Sequence, residues 1–237
     1  MLLLTGCVQS VATPNTNLAL ARLLDVLGIS AVRPTESVCC GALDYHLTHQ
    51  QSARQHMRRL IDRCWPSVEQ GVEAIVSTAS GCGVQVKEYG DLFKDDPDYA
   101  AKAKRVATLT LDVSEVLIKE IRTSPDKPQP IRVAYHPPCS LQHGQKISGV
   151  VEALLQRAGI SLLPVKETGM CCGSAGTYSI LEPKLAGQLL ERKIRNLEVD
   201  RPDVIVTGNI GCQLHIAAKA QVPVFHWVEL LERIYLP

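Results

Sequence analysis

Short apolar runs alternate with longer stretches of helical periodicity along this chain. In the first half, residues 2–4 read as a buried strand, and Thr13, Pro14 and Asn15 supply start signals for a helix that continues to Leu27 and stops at Gly28. A short strand is expected at 31–33, followed by a polar, Arg-rich helix over 51–63, an apolar strand at 74–77 and a helix after Cys82. The second half repeats the order, with strands expected near 132–135, 162–164, 204–207 and 222–225. Apolar runs of strand length that alternate with helical segments predict parallel-sheet α/β architecture.

The two halves are copies of one unit. Cys7, Cys39, Cys40 and Cys82 are matched by Cys139, Cys171, Cys172 and Cys212. In both sets 31 residues separate the first cysteine from a Cys-Cys-Gly triplet, and the sets are offset by 132 positions, or 130 at the fourth cysteine. EAIVSTASGC pairs with DVIVTGNIGC, LLDVLGIS with LLQRAGIS, and LDVSEVL with HWVELLE. The expected fold is two pseudo-symmetric Rossmann-like lobes, each a small, mostly parallel sheet flanked by helices. Pro125, Pro128 and Pro130 disfavour helix between them. The domains are accordingly placed at 1–124 and 131–237, with a Pro-rich linker at 125–130.

Composition narrows the functional classes. Lys plus Arg number 25 against 24 for Asp plus Glu, so there is no electrostatic footprint for nucleic acid or an anionic membrane surface. The longest apolar stretch, LALARLLDVLGISAV, is broken by Arg22 and Asp25 and is too short to span a bilayer, so a soluble chain without direct membrane insertion is expected. MLLLTGC resembles a lipoprotein cleavage box at Cys7, but it lacks a basic start and a sufficient apolar region. The nine cysteines are an odd number in a chain without an export signal, which favours metal ligands or catalytic thiols in a reducing cytoplasm over disulfides.

In open parallel sheets, ligands gather where the carboxyl ends of strands meet the following turns. Both cysteine quartets fall at such points, so each should converge on one centre. Four thiolates are the ligand set of an iron-sulfur cluster or of structural zinc. Zinc sites usually draw on two close pairs of ligands, whereas these are spread one, two and one, which favours the cluster. The glycine after each pair lets the backbone pass close beneath an inorganic core. Lys87 and Lys146 are candidates for offsetting the charge of the thiolates. Cys64 has no counterpart and reads as a buried structural thiol. His136, His143 and His215 lie close in sequence to second-half cysteines, where each would bond a carbonyl, hydrogen-bond a sulfur or replace a ligand. Tyr45 and Tyr178 read as packing groups. No catalytic residue is expected in this chain.

At GCVQSVATPNTN, CCGALDYHL, TASGCGVQVKEYG, LQHGQK, CCGSAGTYSI, NIGCQLH and HWVELLER the chain resembles the cysteine-rich CCG domain proteins. That family includes the cysteine-rich component of heterodisulfide reductase and the iron-sulfur subunits of glycolate oxidase and lactate-utilisation systems, the glycolate oxidase type being the nearest in these segments. The resemblance implies an electron-transfer subunit with an iron-sulfur cluster, of 4Fe-4S type, in each lobe, held by Cys7, Cys39, Cys40 and Cys82 and by Cys139, Cys171, Cys172 and Cys212. It implies FAD only in partner flavoprotein subunits that oxidise glycolate to glyoxylate, and a quinone or other acceptor downstream. The expected location is cytoplasmic, with any membrane association made through partners.

Two departures accompany the resemblance. Ala79 and Asn209 stand where heterodisulfide reductase relatives carry a further cysteine, which argues against disulfide reduction. The ferredoxin-like run C-x2-C-x2-C-x3-C-P of full-length glycolate oxidase subunits is absent, so the chain is expected to be a C-terminal portion, truncated or separately encoded, that works with a ferredoxin-like domain or subunit. A disulfide reductase and a zinc-retaining scaffold are the competing classes.

Overall fold

The computed structural model describes residues 1–34, 36–125 and 130–236. The chain divides into two compact units, Met1–Val116 and Leu117–Pro237. The linker expected at 125–130 falls largely on residues 126–129, outside the described residues.

The first unit holds a parallel sheet of β1 (Leu2–Leu3), β2 (Ile75–Ser77) and β3 (Thr110–Asp112) in that spatial order. β1 and β2 are buried throughout. That is why they read as unbroken apolar runs rather than alternating ones. The strand expected at 31–33 is reduced to a single bridge: Val32 pairs with Leu2 on the free side of β1, with Val32 N–H donating to Met1 O at 2.8 Å. The helix expected to stop at Gly28 runs Asn15–Val26, and Gly28 adopts φ +74°, as a left-handed helix terminus requires.

The second unit repeats the plan with its outer strand formed. β4 (Arg132–His136) lies between β5 (Ser161–Leu162) and β6 (Val204–Thr207), with β7 (Val224–His226) outermost, all parallel. Substituting the Val32 bridge for β5, both sheets have the same strand order. The α/β reading with two small parallel sheets flanked by helices is therefore what the chain adopts.

The Arg-rich helix is longer than its sequence suggests, Gln50–Glu69, and continues past Pro66. Ala53, Met57, Leu60, Ile61, Cys64 and Val68 form one buried stripe along it. Burial of Val68 beyond the proline offsets the lost backbone donor near the helix end. Its counterpart, Pro183–Glu198, starts with proline at its first position, where no backbone donor is needed, and buries Ala186, Leu190, Lys193 and Leu197. A lysine on that stripe is the exception in an otherwise apolar row.

Candidate metal centre

Each quartet is assembled from three loci. Cys7 and Cys139 follow the first strand of their sheets, the Cys-Cys pairs lie in turns, and Cys82 and Cys212 sit in the first turn of the helices Ser80–Lys87 and Ile210–Ala217. The helix expected after Cys82 thus begins before it, which puts the sulfur near the positive end of a helix.

The sulfurs converge in both lobes. Cys7 is within hydrogen-bonding reach of Cys39, Cys39 of Cys40, and Cys40 of Cys82. In the second lobe the same chain of contacts runs from Cys139 to Cys171, Cys172 and Cys212. All nine cysteines are free thiols. Cys40, Cys172 and Cys212 are buried, and the other members of the quartets are half-buried. Each site therefore has a dry inner side and an outer side near solvent.

The glycine of each triplet fixes the turn. Gly41 and Gly173 have φ +78° and +93°, and a Cβ there would stand 2.8 Å from Ala53 O and 2.6 Å from Ala186 O. Only glycine allows the turn to press against the backbone of the long helix. Its own N–H then donates to the first sulfur of the pair, at 3.3 Å in both lobes, Gly41 to Cys39 and Gly173 to Cys171. Tyr89 Oη–H anchors the first turn from the other side by donating to Cys40 O at 2.7 Å.

Crowding of thiols separates their proton affinities. The hydrogen bond with Cys39, then burial, pushes Cys7 far above the ordinary thiol value, and Cys171 followed by burial does the same to Cys139. Cys212 is held well below it, by Cys172 first and then by the adjacent His136 and Asn209. Such a set holds some protons tightly while it is metal-free. Metal loading must displace them and should be strongly pH-dependent.

The surroundings of the two quartets differ. Around the first, Leu4, Leu60 and Ala79 line the pocket with Cys40 and Cys82, together with the neutral polar side chains of Thr5, Gln9 and Ser77. Around the second, His136 is 1% exposed and neither ring nitrogen has a hydrogen-bond partner. One of those nitrogens and the sulfurs of Cys172 and Cys212 all lie within 4.8 Å of one another. Asn209 directs its amide nitrogen at Cys212 Sγ, 3.7 Å away. Lys193 is fully buried, with Nζ donating to Glu167 O at 2.8 Å. Burial pulls its pKa down, while the charges of Cys172, Glu167, Cys171 and Cys212 push it up.

The remaining candidates sort clearly. Cys64 is buried in the first lobe's core, away from the quartet's chain of contacts, and desolvation pushes it up to about 12, the behaviour of an inert thiol. His143 and Lys146 are exposed, and His215 is half-buried. Lys87 is engaged by Glu115 at 2.6 Å. Tyr45 packs against the first core. Lys193 was not legible as a site residue from the cysteine motifs. Its signal is a lysine on the buried stripe of a helix.

The donor set fits an iron-sulfur group. Each lobe brings four adjacent thiols together, each turn is pressed against a carbonyl that excludes any Cβ, and in the second lobe a buried imidazole faces the sulfurs without a partner. Among the described residues no helix is long and apolar enough to cross a membrane.

Comparison with known proteins agrees with this chemistry. The family described as CCG, cysteine-rich domain, matches residues 1–87 and again 133–217. The glycolate oxidase iron-sulfur subunit of Escherichia coli is 47% identical over 98% of the chain, and the probable glycolate oxidase iron-sulfur subunit of Bacillus subtilis 30% over 90%. The chain spans 57% and 48% of the lengths of these two relatives. Lactate utilization protein A of Bacillus licheniformis is 27% identical, with 95% of each chain covered. A solved structure described as a putative Asp/Glu racemase from Yersinia pestis covers 98% of the chain, with 95% of its own length matched, at 16% identity and a TM-score of 0.39, too weak a likeness to bear on the site.

Proposed function

The chain belongs to the CCG family of cysteine-rich domain proteins, and from that premise we propose that it is the iron-sulfur electron-transfer part of a flavin-dependent glycolate oxidase. The observation that carries this reading is the convergence of four sulfurs in each lobe on turns that tolerate no side chain beneath them. The 47% identity to a glycolate oxidase iron-sulfur subunit supports the choice of complex.

In this reading Cys7, Cys39, Cys40 and Cys82 hold one 4Fe-4S-type centre, and Cys139, Cys171, Cys172 and Cys212 hold another. A bound iron-sulfur cluster supplies reversible one-electron chemistry. The protein's own contribution is to deliver deprotonated sulfurs, to donate the Gly41 and Gly173 amides to them, and to keep water from Cys40, Cys172 and Cys212. Partner flavoprotein subunits oxidise glycolate to glyoxylate, and a quinone or other acceptor takes the electrons. Glycolate itself has no place at these sites.

A second reading is a lactate-utilisation protein, favoured by the match to lactate utilization protein A across 95% of both chains. The test is anaerobic purification followed by iron and acid-labile sulfide analysis. Both should be present, with broad visible absorption; a colourless, iron-free protein rejects the electron-transfer reading. Co-purification with a flavoprotein that reduces the chain in the presence of glycolate but not lactate selects between the two substrates.

A further inference from the structure

The internal repeat allows the two pockets to be superposed residue by residue from the structure. Gly41 meets Ala53 O and Gly173 meets Ala186 O, so the long helices align with Ala53 opposite Ala186, and Leu60 then falls opposite Lys193. By the offsets of the cysteines, Leu4 falls opposite His136 and Ala79 opposite Asn209. Leu4, Leu60 and Ala79 all line the first pocket. Their counterparts are a buried imidazole within 4.8 Å of two sulfurs, a fully buried lysine, and an amide directed at Cys212.

We propose that the second-lobe centre has the higher reduction potential of the two, and that His136, Lys193 and Asn209 are the positioning residues that raise it. The inference rests on the iron-sulfur reading above. Adding an electron makes a thiolate-ligated centre more negative, so a nearby cation and polar hydrogens aimed at its sulfurs favour the reduced state. The described residues that line the first pocket include no cation, and its polar members, Thr5, Gln9 and Ser77, are neutral. In the dry interior a full charge is weakly screened. The cations that share a pocket with Cys39 are nearer solvent: Arg59 is exposed, and Arg63 is half-exposed and 3.8 Å from Glu36, so their influence is damped, whereas the Glu167 carboxylate that acts on Lys193 is itself paired with Arg192. Cys212 is more deeply buried than Cys82, which works in the opposite direction. One extra buried sulfur is a smaller effect than an added buried charge.

The test is an anaerobic redox titration of the full chain followed by electron paramagnetic resonance, a readout independent of glycolate turnover. Cys39→Ser and Cys171→Ser assign the two waves to lobes; the higher should vanish in Cys171→Ser. Lys193→Met and His136→Leu, which remove the charge and the imidazole, should together lower the ratio of reduced to oxidised second-lobe centre at least tenfold at a fixed potential, about 59 mV for one electron. Leu60→Lys should move the first-lobe wave upward. If the second-lobe variants lose their iron, Leu60→Lys alone carries the test. The proposal is overturned if the second-lobe wave is the lower one, if both waves coincide, if only one lobe holds a centre, or if Leu60→Lys leaves its wave in place. A wild-type chain without iron or sulfide defeats the proposed function itself, an outcome distinct from all of these.

Discussion

The two lobes use the same turns to gather their sulfurs and different side chains to surround them. The N–H of Gly41 reaches Cys39 at the same 3.3 Å as that of Gly173 reaches Cys171, and both glycines abut a helix carbonyl. Around this shared frame, Leu4 and Leu60 line one pocket, while His136 lies beside two sulfurs of the other and a buried Lys193 stands at the position matching Leu60. The last strand of each sheet shows the same division. Asp112 Oδ1 accepts from Ser114 N–H at 2.9 Å, and His226 Nδ1 accepts from Val228 N–H at 3.1 Å, so a carboxylate and an imidazole cap equivalent helices. Backbone geometry sets where the sulfurs go. Side chains then set what each site favours, and duplicated sites can diverge in properties without losing their architecture.

The strongest way to break this comparison is to remove one sulfur at a time. Cys39→Ser and Cys171→Ser should each cost roughly half of the bound iron, leaving the other lobe's spectrum intact. Cys64→Ser should cost none. Equal loss in all three, measured by iron analysis per chain, would mean that the quartets are wrongly drawn.

The shared frame can be probed by adding a single methyl group. Gly41→Ala and Gly173→Ala force a side chain into left-handed backbone and against a carbonyl, and should each destabilise the chain by about 2–4 kcal/mol. The Gly173 variant should be the worse, since its Cβ would stand at 2.6 Å rather than 2.8 Å. Urea unfolding of the two variants checks both the size and the order.

The smallest effect distinguishes the caps. Burial raises the Asp112 carboxyl to about 6, with Ser114 acting against that rise. A folded-state value above the unfolded one means that the native state binds the proton more tightly. The associated stability is complete below about pH 4 and is lost as pH rises through 6. Asp112→Asn keeps an acceptor for Ser114 and should be more stable than the native chain by about 2 kcal/mol at pH 8, the gap closing by pH 4. A gap independent of pH in paired unfolding curves would remove burial of the charge as its cause.

Much of this was readable from the residues. Buried parallel strands appear as continuous apolar runs, and two quartets at a common offset disclosed both the repeat and the sites. What escaped was set by tertiary packing. Val32 forms a bridge and not a strand because only one pairing with Leu2 is made. The Gln50–Glu69 helix outlasts Pro66 because Val68 is buried beyond it. Lys193 is not legible in the cysteine motifs because those mark turns, while the lysine lies on the buried stripe of a helix. His136 was one of three histidines near the ligands in sequence, and only the fold separates it from exposed His143.

The obstacle above each Cys-Cys-Gly turn is main chain, Ala53 O in one case and Ala186 O in the other. Trimming a neighbouring side chain cannot clear it. Random mutagenesis of either lobe should accordingly recover glycine alone at 41 and 173. An engineer wishing to retune one half can redecorate the pocket freely, provided that this pivot stays bare.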